Sequence, residues 1–157
     1  MEMQKSLIVD QSKCTGCRTC EMACSLHHEK KCSPLLSRIR IIKFEARGEN
    51  YPNVCSHCTK PQCVSACPQG AIQLNSVTGA VVINEELCIG CRLCIAACPQ
   101  GQIAMHPERD VSFKCDLCGG DPACARFCPT GAVKYADMDE FIMAKRREFS
   151  ARQKHVS

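Results

Sequence analysis

Sixteen of the seventeen cysteines in this 157-residue chain fall into four runs of four. They are Cys14, Cys17, Cys20 and Cys24; Cys55, Cys58, Cys63 and Cys67; Cys88, Cys91, Cys94 and Cys98; and Cys115, Cys118, Cys124 and Cys128. The first and third runs leave gaps of two, two and three residues, and the second and fourth widen only the middle gap. Pro68, Pro99 and Pro129 follow the last cysteine of runs two to four, whereas Ser25 follows the first run. The 45% hydrophobic content includes the cysteines, and the chain has no Trp, two Tyr and five Phe. Aromatic side chains normally carry much of a core's buried area. A group bound to the cysteines must therefore supply much of the folding energy. This excludes an ordinary enzyme held together by its own packing.

Spacing identifies that group. A disulfide framework expects an even cysteine count and a secretory leader. Here the count is odd, and Met1–Asp10 shows no apolar leader segment. No stretch approaches the roughly 18 apolar residues of a membrane span. The expectation is a soluble, cytoplasmic protein with reduced thiols. Structural zinc draws two close ligand pairs across a longer loop. Three thiolates on one tight loop, followed by a fourth on a short helix, suit a 4Fe–4S cube. Four complete runs predict four 4Fe–4S clusters. Cys32 lies outside every run and reads as a free thiol. His27 and His28 read as solvent-facing. His57, inside the second loop, either tunes its cluster through a hydrogen bond or merely packs the loop.

The runs also form an internal repeat. Pro68-Gln-Gly70-Ala-Ile72, Pro99-Gln-Gly101-Gln-Ile103 and Pro129-Thr-Gly131-Ala-Val133 each end a ligand helix and lead into a β-prone piece. Ala71–Leu74 and Ala80–Asn84 read as a hairpin between runs two and three. That is the layout of a two-cluster ferredoxin, whose halves exchange their fourth cysteines. The formal charge is +4, but sixteen bound thiolates and four oxidised cores would bring it to about −4. Lys13, Arg18, Lys60, Arg92, Lys114 and Arg126 lie in or beside the runs, either to offset cluster charge or as solvated surface groups. No basic stripe interleaved with aromatics points to nucleic acid. No catalytic constellation or phosphate-cradling loop stands out. With every cube corner held by a thiolate, the chemistry left is electron transfer.

Residues 55–104 resemble a bacterial two-cluster ferredoxin. The whole of 7–135 resembles the four-cluster ferredoxin-like subunits of molybdenum and tungsten oxidoreductases. These include the iron–sulfur subunits of dimethyl sulfoxide, nitrate and formate enzymes, and the electron-carrier subunits of hydrogenases and carbon monoxide dehydrogenases. Cys14-Thr-Gly-Cys17-Arg-Thr-Cys20-Glu-Met-Ala-Cys24, Val54-Cys-Ser-His-Cys58 and Pro61-Gln-Cys63-Val-Ser-Ala-Cys67-Pro68 carry the likeness. It implies an α+β, ferredoxin-like fold of two pseudo-twofold two-cluster units, one inserted in the other. The four-cluster domain would span 1–136, with the inner unit at 54–106 and a C-terminal amphipathic helix or tail at 137–157.

The resemblance further implies one cluster on Cys14, Cys17, Cys20 and Cys128, and a second on Cys55, Cys58, Cys63 and Cys98. A third would sit on Cys88, Cys91, Cys94 and Cys67, and a fourth on Cys115, Cys118, Cys124 and Cys24. The repeat pattern alone supports only the inner exchange, between runs two and three. Pairing of sequence neighbours, one with two and three with four, is the alternative. The implied partner is a large molybdenum- or tungsten-pterin subunit, with the tungsten aldehyde oxidoreductase type favoured. A flavoprotein subunit is a second candidate, and self-association into a chain a third. The alternatives are a freely diffusing polyferredoxin, or a carrier for a hydrogenase or carbon monoxide dehydrogenase.

The last segment reads as a helix over 137–149. Asp137 stands as its N-cap, with Glu140 three residues on. Met138, Phe141, Ile142, Lys145 and Phe149 share one face. That face either covers the ferredoxin body or docks a partner or a second copy of the chain.

Overall fold

A computed structural model describes residues 5–153. Among these residues, three short two-stranded antiparallel sheets separate the four cysteine runs, and a fourth joins the segment before the first run to the segment after the last. Strand β1 (Lys5–Val9) pairs with β8 (Val133–Asp137), and β2 (Arg40–Phe44) pairs with β3 (Glu49–Asn53). Strand β4 (Ile72–Leu74) pairs with β5 (Val81–Ile83), and β6 (Ala104–Met105) pairs with β7 (Ser112–Phe113). The expected hairpin between runs two and three is β4–β5.

The long-range sheet repeats that hairpin's geometry. Strand β4 follows run two and β5 precedes run three; β8 follows run four and β1 precedes run one. The Asn84 N–H donates to the Ala71 carbonyl at 2.7 Å, and the Asp10 N–H donates to the Ala132 carbonyl at 2.7 Å. Two segments 122 residues apart are thus closed by the same bond as two segments 13 apart.

Each run ends in a helix carrying its third cysteine: α1 (Thr19–Glu29), α2 (Gln62–Ser65), α3 (Leu93–Ala97) and α4 (Ala123–Arg126). Three of them last barely one turn. Proline has no N–H and its ring disfavours a helical residue before it, so Pro68, Pro99 and Pro129 stop the helix at the fourth cysteine. Each Pro-x-Gly turn then closes on that cysteine. Gly70, Gly101 and Gly131 donate their N–H to the carbonyls of Cys67, Cys98 and Cys128. Ser25 imposes no such stop, and α1 continues to Glu29. The Ser25 hydroxyl donates to the Met22 carbonyl at 3.1 Å and accepts the Ser33 N–H at 3.1 Å.

The extended α1 anchors its surroundings. Buried Glu21 accepts the Ile41 N–H at 2.7 Å, tying α1 to β2. Glu29 accepts from Arg109 at 3.0 Å and lies 3.4 Å from His106 Nε2, which ties α1 to the segment around β6–β7. The apolar core is built largely around sulfur. One buried cluster joins Ile39, Ile41, Val54, Leu117 and Val133 to Cys20, Cys24, Cys55, Cys115 and Cys124. A second joins Ile72, Val81 and Ile103 to Cys63 and Cys94.

Helix α5 (Met138–Gln153) leaves β8 directly. Asp137 caps it as expected, its carboxylate accepting the Asp139 N–H at 2.9 Å and the Glu140 N–H at 3.1 Å. None of its residues is buried, and Met138, Ile142 and Phe149 stay exposed. Of the two roles expected for this face, covering the body is not the one seen. The helix projects with its apolar side open.

Candidate iron–sulfur site

Left-handed backbone shapes the ligand loops. In run one, Gly16 and Arg18 have φ of 68° and 60°; in run three, Gly90 and Arg92 have 67° and 64°. His57 in run two, and Leu117 and Cys118 in run four, also carry positive φ. Such turns direct successive N–H groups toward one point and create an anion-binding concavity. At Gly90 the constraint is doubled, because a Cβ would sit 2.6 Å from the Asp110 carbonyl oxygen.

The cysteines gather across runs. One cavity is lined by Cys88, Cys91 and Cys94 together with Cys67, and walled by Ile72 and Ile83. Another is lined by Cys55, Cys58 and Cys63 together with Cys98. A third holds Cys14, Cys17 and Cys20 together with Cys128. Burial pushes the Cys124 thiol up, and negative charge on Cys115, Cys24, Cys118 and Cys20 would push it further; Cys24, Cys115 and Cys124 share one buried cluster with Cys20 and Cys55. Cys32 is exposed and lines none of these three cavities.

The donor set suits 4Fe–4S clusters. Burial pushes the Cys20 and Cys115 thiols up to about 12 and Cys118 to about 11. Thiols so desolvated give up their protons to a bound cation, not to water. Backbone donors nevertheless already face the sulfurs. The Arg38 N–H meets Cys24 Sγ at 3.2 Å, Gln102 meets Cys98 at 3.3 Å, and Ser112 meets Cys88 at 3.4 Å. Such bonds favour the thiolate form.

Two histidines flank the sulfurs. His57 Nδ1 accepts the Val81 N–H at 3.0 Å, which assigns its proton to Nε2. That Nε2 is buried without a partner among the described residues, in a side chain lining the Cys55–Cys98 cavity. An orphan donor on a residue that lines a four-sulfur cavity is one that a cluster's sulfide or thiolate would satisfy.

His28 departs from expectation. His27 is exposed, but the His28 side chain is only 11% exposed, with Nε2 3.4 Å from Cys118 Sγ and 3.4 Å from Asp116. It stands four residues after Cys24 on α1, hence on the same helix face. That spacing is the signal by which the sequence could have revealed it. The grouping of His27, His28 and Cys118 within 4.8 Å draws its sulfur from the fourth cysteine run. Of the six flanking cations, Lys13, Arg18, Lys60, Arg92 and Arg126 are exposed, and only Lys114 is buried.

Comparison with known proteins agrees with this chemistry. The 4Fe–4S dicluster domain matches residues 47–138, and a 4Fe–4S binding domain matches 5–26. The chain is 45% identical over 122 residues to the polyferredoxin-like subunit of aliphatic sulfonate oxidoreductase from Pyrococcus furiosus, spanning 78% of this chain and 70% of that one. It is 35% identical to the probable anaerobic dimethyl sulfoxide reductase chain YnfG of Escherichia coli, spanning 89% and 77%. In fold alone it resembles a chain of the BamBC active-site complex of benzoyl coenzyme A reductase. There the TM-score is 0.51 at 23% identity, covering 93% of this chain and 90% of that one. Fold, sulfur-lined cavities and relatives together define an iron–sulfur electron-transfer subunit. The chain belongs to the 4Fe–4S dicluster ferredoxin family.

Proposed function

We propose that this chain carries electrons through four 4Fe–4S clusters, as the iron–sulfur subunit of a larger oxidoreductase, and turns over no substrate itself. The supporting observation is that each of three cavities collects three cysteines from one run and the fourth from another. In this reading Cys14, Cys17, Cys20 and Cys128 hold one cluster, and Cys55, Cys58, Cys63 and Cys98 the next. Cys88, Cys91, Cys94 and Cys67 hold the third, and Cys115, Cys118, Cys124 and Cys24 the fourth. The clusters supply one-electron storage, and the protein supplies their placement, their counter-charges and the exclusion of water.

The architecture proposed is one two-cluster unit, 54–106, inserted into another within a 1–136 domain, with 137–157 as an appended helix. The matching closures of β4–β5 and β1–β8 favour it. The partner proposed is a large catalytic subunit with a tungsten or molybdenum pterin, of aldehyde oxidoreductase type. The P. furiosus relative, a subunit of an aliphatic sulfonate oxidoreductase, supports an oxidoreductase partner and adds sulfonates as a substrate class to assay. The exposed face of α5 is proposed to dock that partner or a further copy of the chain. The compartment proposed is the cytoplasm. No helix among the described residues is long and apolar enough to cross a membrane.

Iron and sulfide analysis tests the core of this reading. Four clusters require sixteen irons per chain, and eight would overturn it. Purification from native cells, followed by tungsten and molybdenum analysis of whatever co-elutes, tests the partner. A chain that elutes alone would be a free polyferredoxin.

A further inference from the structure

Lys114 is 3% exposed, the only buried lysine or arginine among the described residues. Its ammonium donates to the Cys115 carbonyl at 2.9 Å and to the Val81 carbonyl. No carboxylate pairs with it among the described residues. Two carbonyls satisfy two of its three N–H groups and leave the charge uncompensated. Glu85 and Asp116 line a neighbouring cavity with it without reaching ion-pair distance, and a buried cation so weakly compensated is unfavourable, which favours a further anion beside it.

The surroundings identify that anion. Lys114 lines the cavity of Cys55, Cys58, Cys63 and Cys98, beside His57. Its chain neighbour Cys115 opens the fourth set, and Cys115 packs with Cys55 in one buried cluster. One ammonium thus lines the cavity of one set and is hydrogen-bonded to the backbone of the first cysteine of another.

We propose that Lys114 is a positioning residue for electron flow, the shared counter-charge of the cluster on Cys55, Cys58, Cys63 and Cys98 and the cluster on Cys115, Cys118, Cys124 and Cys24. A fixed positive charge favours the more negative, reduced form of each, and so raises both midpoint potentials together. When one electron passes between these two sites, one is oxidised and the other reduced, and no proton moves. The electron stays beside the same ammonium before and after the step. The field of Lys114 therefore lowers both ends of the step without opposing passage between them. The five exposed cations near the runs are screened by solvent and cannot act in this way.

The inference rests on the four-cluster reading, and the experiment separates the two. Lys114→Gln keeps an amide donor for the two carbonyls and removes the charge, whereas Lys114→Arg keeps the charge. Holoprotein of each is analysed for iron and titrated potentiometrically by EPR. The expected result for Lys114→Gln is wild-type iron, two midpoints shifted downward and two unmoved, with Lys114→Arg close to wild type. Four unmoved midpoints, a single moved midpoint, or a uniform shift of all four would overturn the proposal. Should Lys114→Gln lose iron, full iron and unmoved midpoints in Lys114→Arg would support it. Loss of iron in both variants would overturn it and leave Lys114 a packing residue. Fewer than sixteen irons in the wild-type protein would sink the four-cluster reading instead.

Discussion

The Val81 N–H donates to His57 Nδ1 at 3.0 Å, and this one bond leaves the remaining imidazole proton on a buried, unpaired Nε2 of a residue that lines the sulfur-lined cavity of the second cysteine run. His57 also has a positive φ of 45°, a strained conformation that a long-range contact from β5 holds in place.

The first prediction follows from that proton. Removing a donor to a cluster's sulfur disfavours the reduced state. His57→Phe should therefore lower the midpoint of one cluster by about 1 kcal/mol, roughly 40 mV for one electron. Iron content should stay at the wild-type level. Redox titration followed by EPR checks it, and an unchanged set of midpoints would return His57 to loop packing.

Exchange of the fourth cysteines makes the second prediction. Cys67 lines the cavity of Cys88, Cys91 and Cys94, not that of its own run, while Cys98 lines the cavity of run two. Cys67→Ser should damage the run-three cluster and Cys98→Ser the run-two cluster. The two variants should thus lose different EPR signals. Identification requires each run's signal to be assigned separately, for instance through Cys91→Ser and Cys58→Ser. If Cys67→Ser erased the same signal as Cys58→Ser, the exchange would be wrong.

A third prediction separates left-handed strain from collision. Gly101→Ala, at φ 61° with nothing near its Cβ, should cost about 1 kcal/mol. Gly90→Ala adds a 2.6 Å approach to the Asp110 carbonyl oxygen and should cost distinctly more. Cluster bleaching in guanidinium reports both. Equal midpoints for the two variants would mean that the Asp110 backbone yields freely.

Cluster removal supplies the fourth. Cys20, Cys24, Cys55, Cys115 and Cys124 make up much of the larger buried core, and metal binding to such sites is folding energy. Oxidative removal of iron with a chelator present should abolish far-UV circular dichroism and expose the chain to protease throughout. An apoprotein that kept its helices and strands would show that the apolar side chains suffice.

The fifth concerns α5. With no buried residue, it contributes little to the body, so a chain ending at Asp137 should keep wild-type iron and EPR signals but lose affinity for its complex. Gel filtration with the co-purifying partner measures this. Undiminished assembly would leave the exposed apolar face without a role.

Local chemistry was legible in the residues themselves. Cysteine spacing, the prolines behind three runs, the short connection between Leu74 and Ala80 and the Asp137 cap each depend on residues within a few positions of one another, so the sequence by itself determined the cysteine loops, the β4–β5 hairpin and the start of α5. Tertiary structure decided what distant segments share. His28 read as solvent-facing because its neighbour Cys118 is 90 residues away. Lys114 was one of six flanking cations until the Val81 carbonyl, 33 residues back, and the walls of the second cavity closed over it. Strand β1 finds β8 across the whole domain. A side chain's solvation depends on everything packed around it, and in a chain whose core is built on sulfur that packing is assembled from four separate runs at once. Spacing names the candidate ligands, and only the packed fold determines which charges and donors lie beside them.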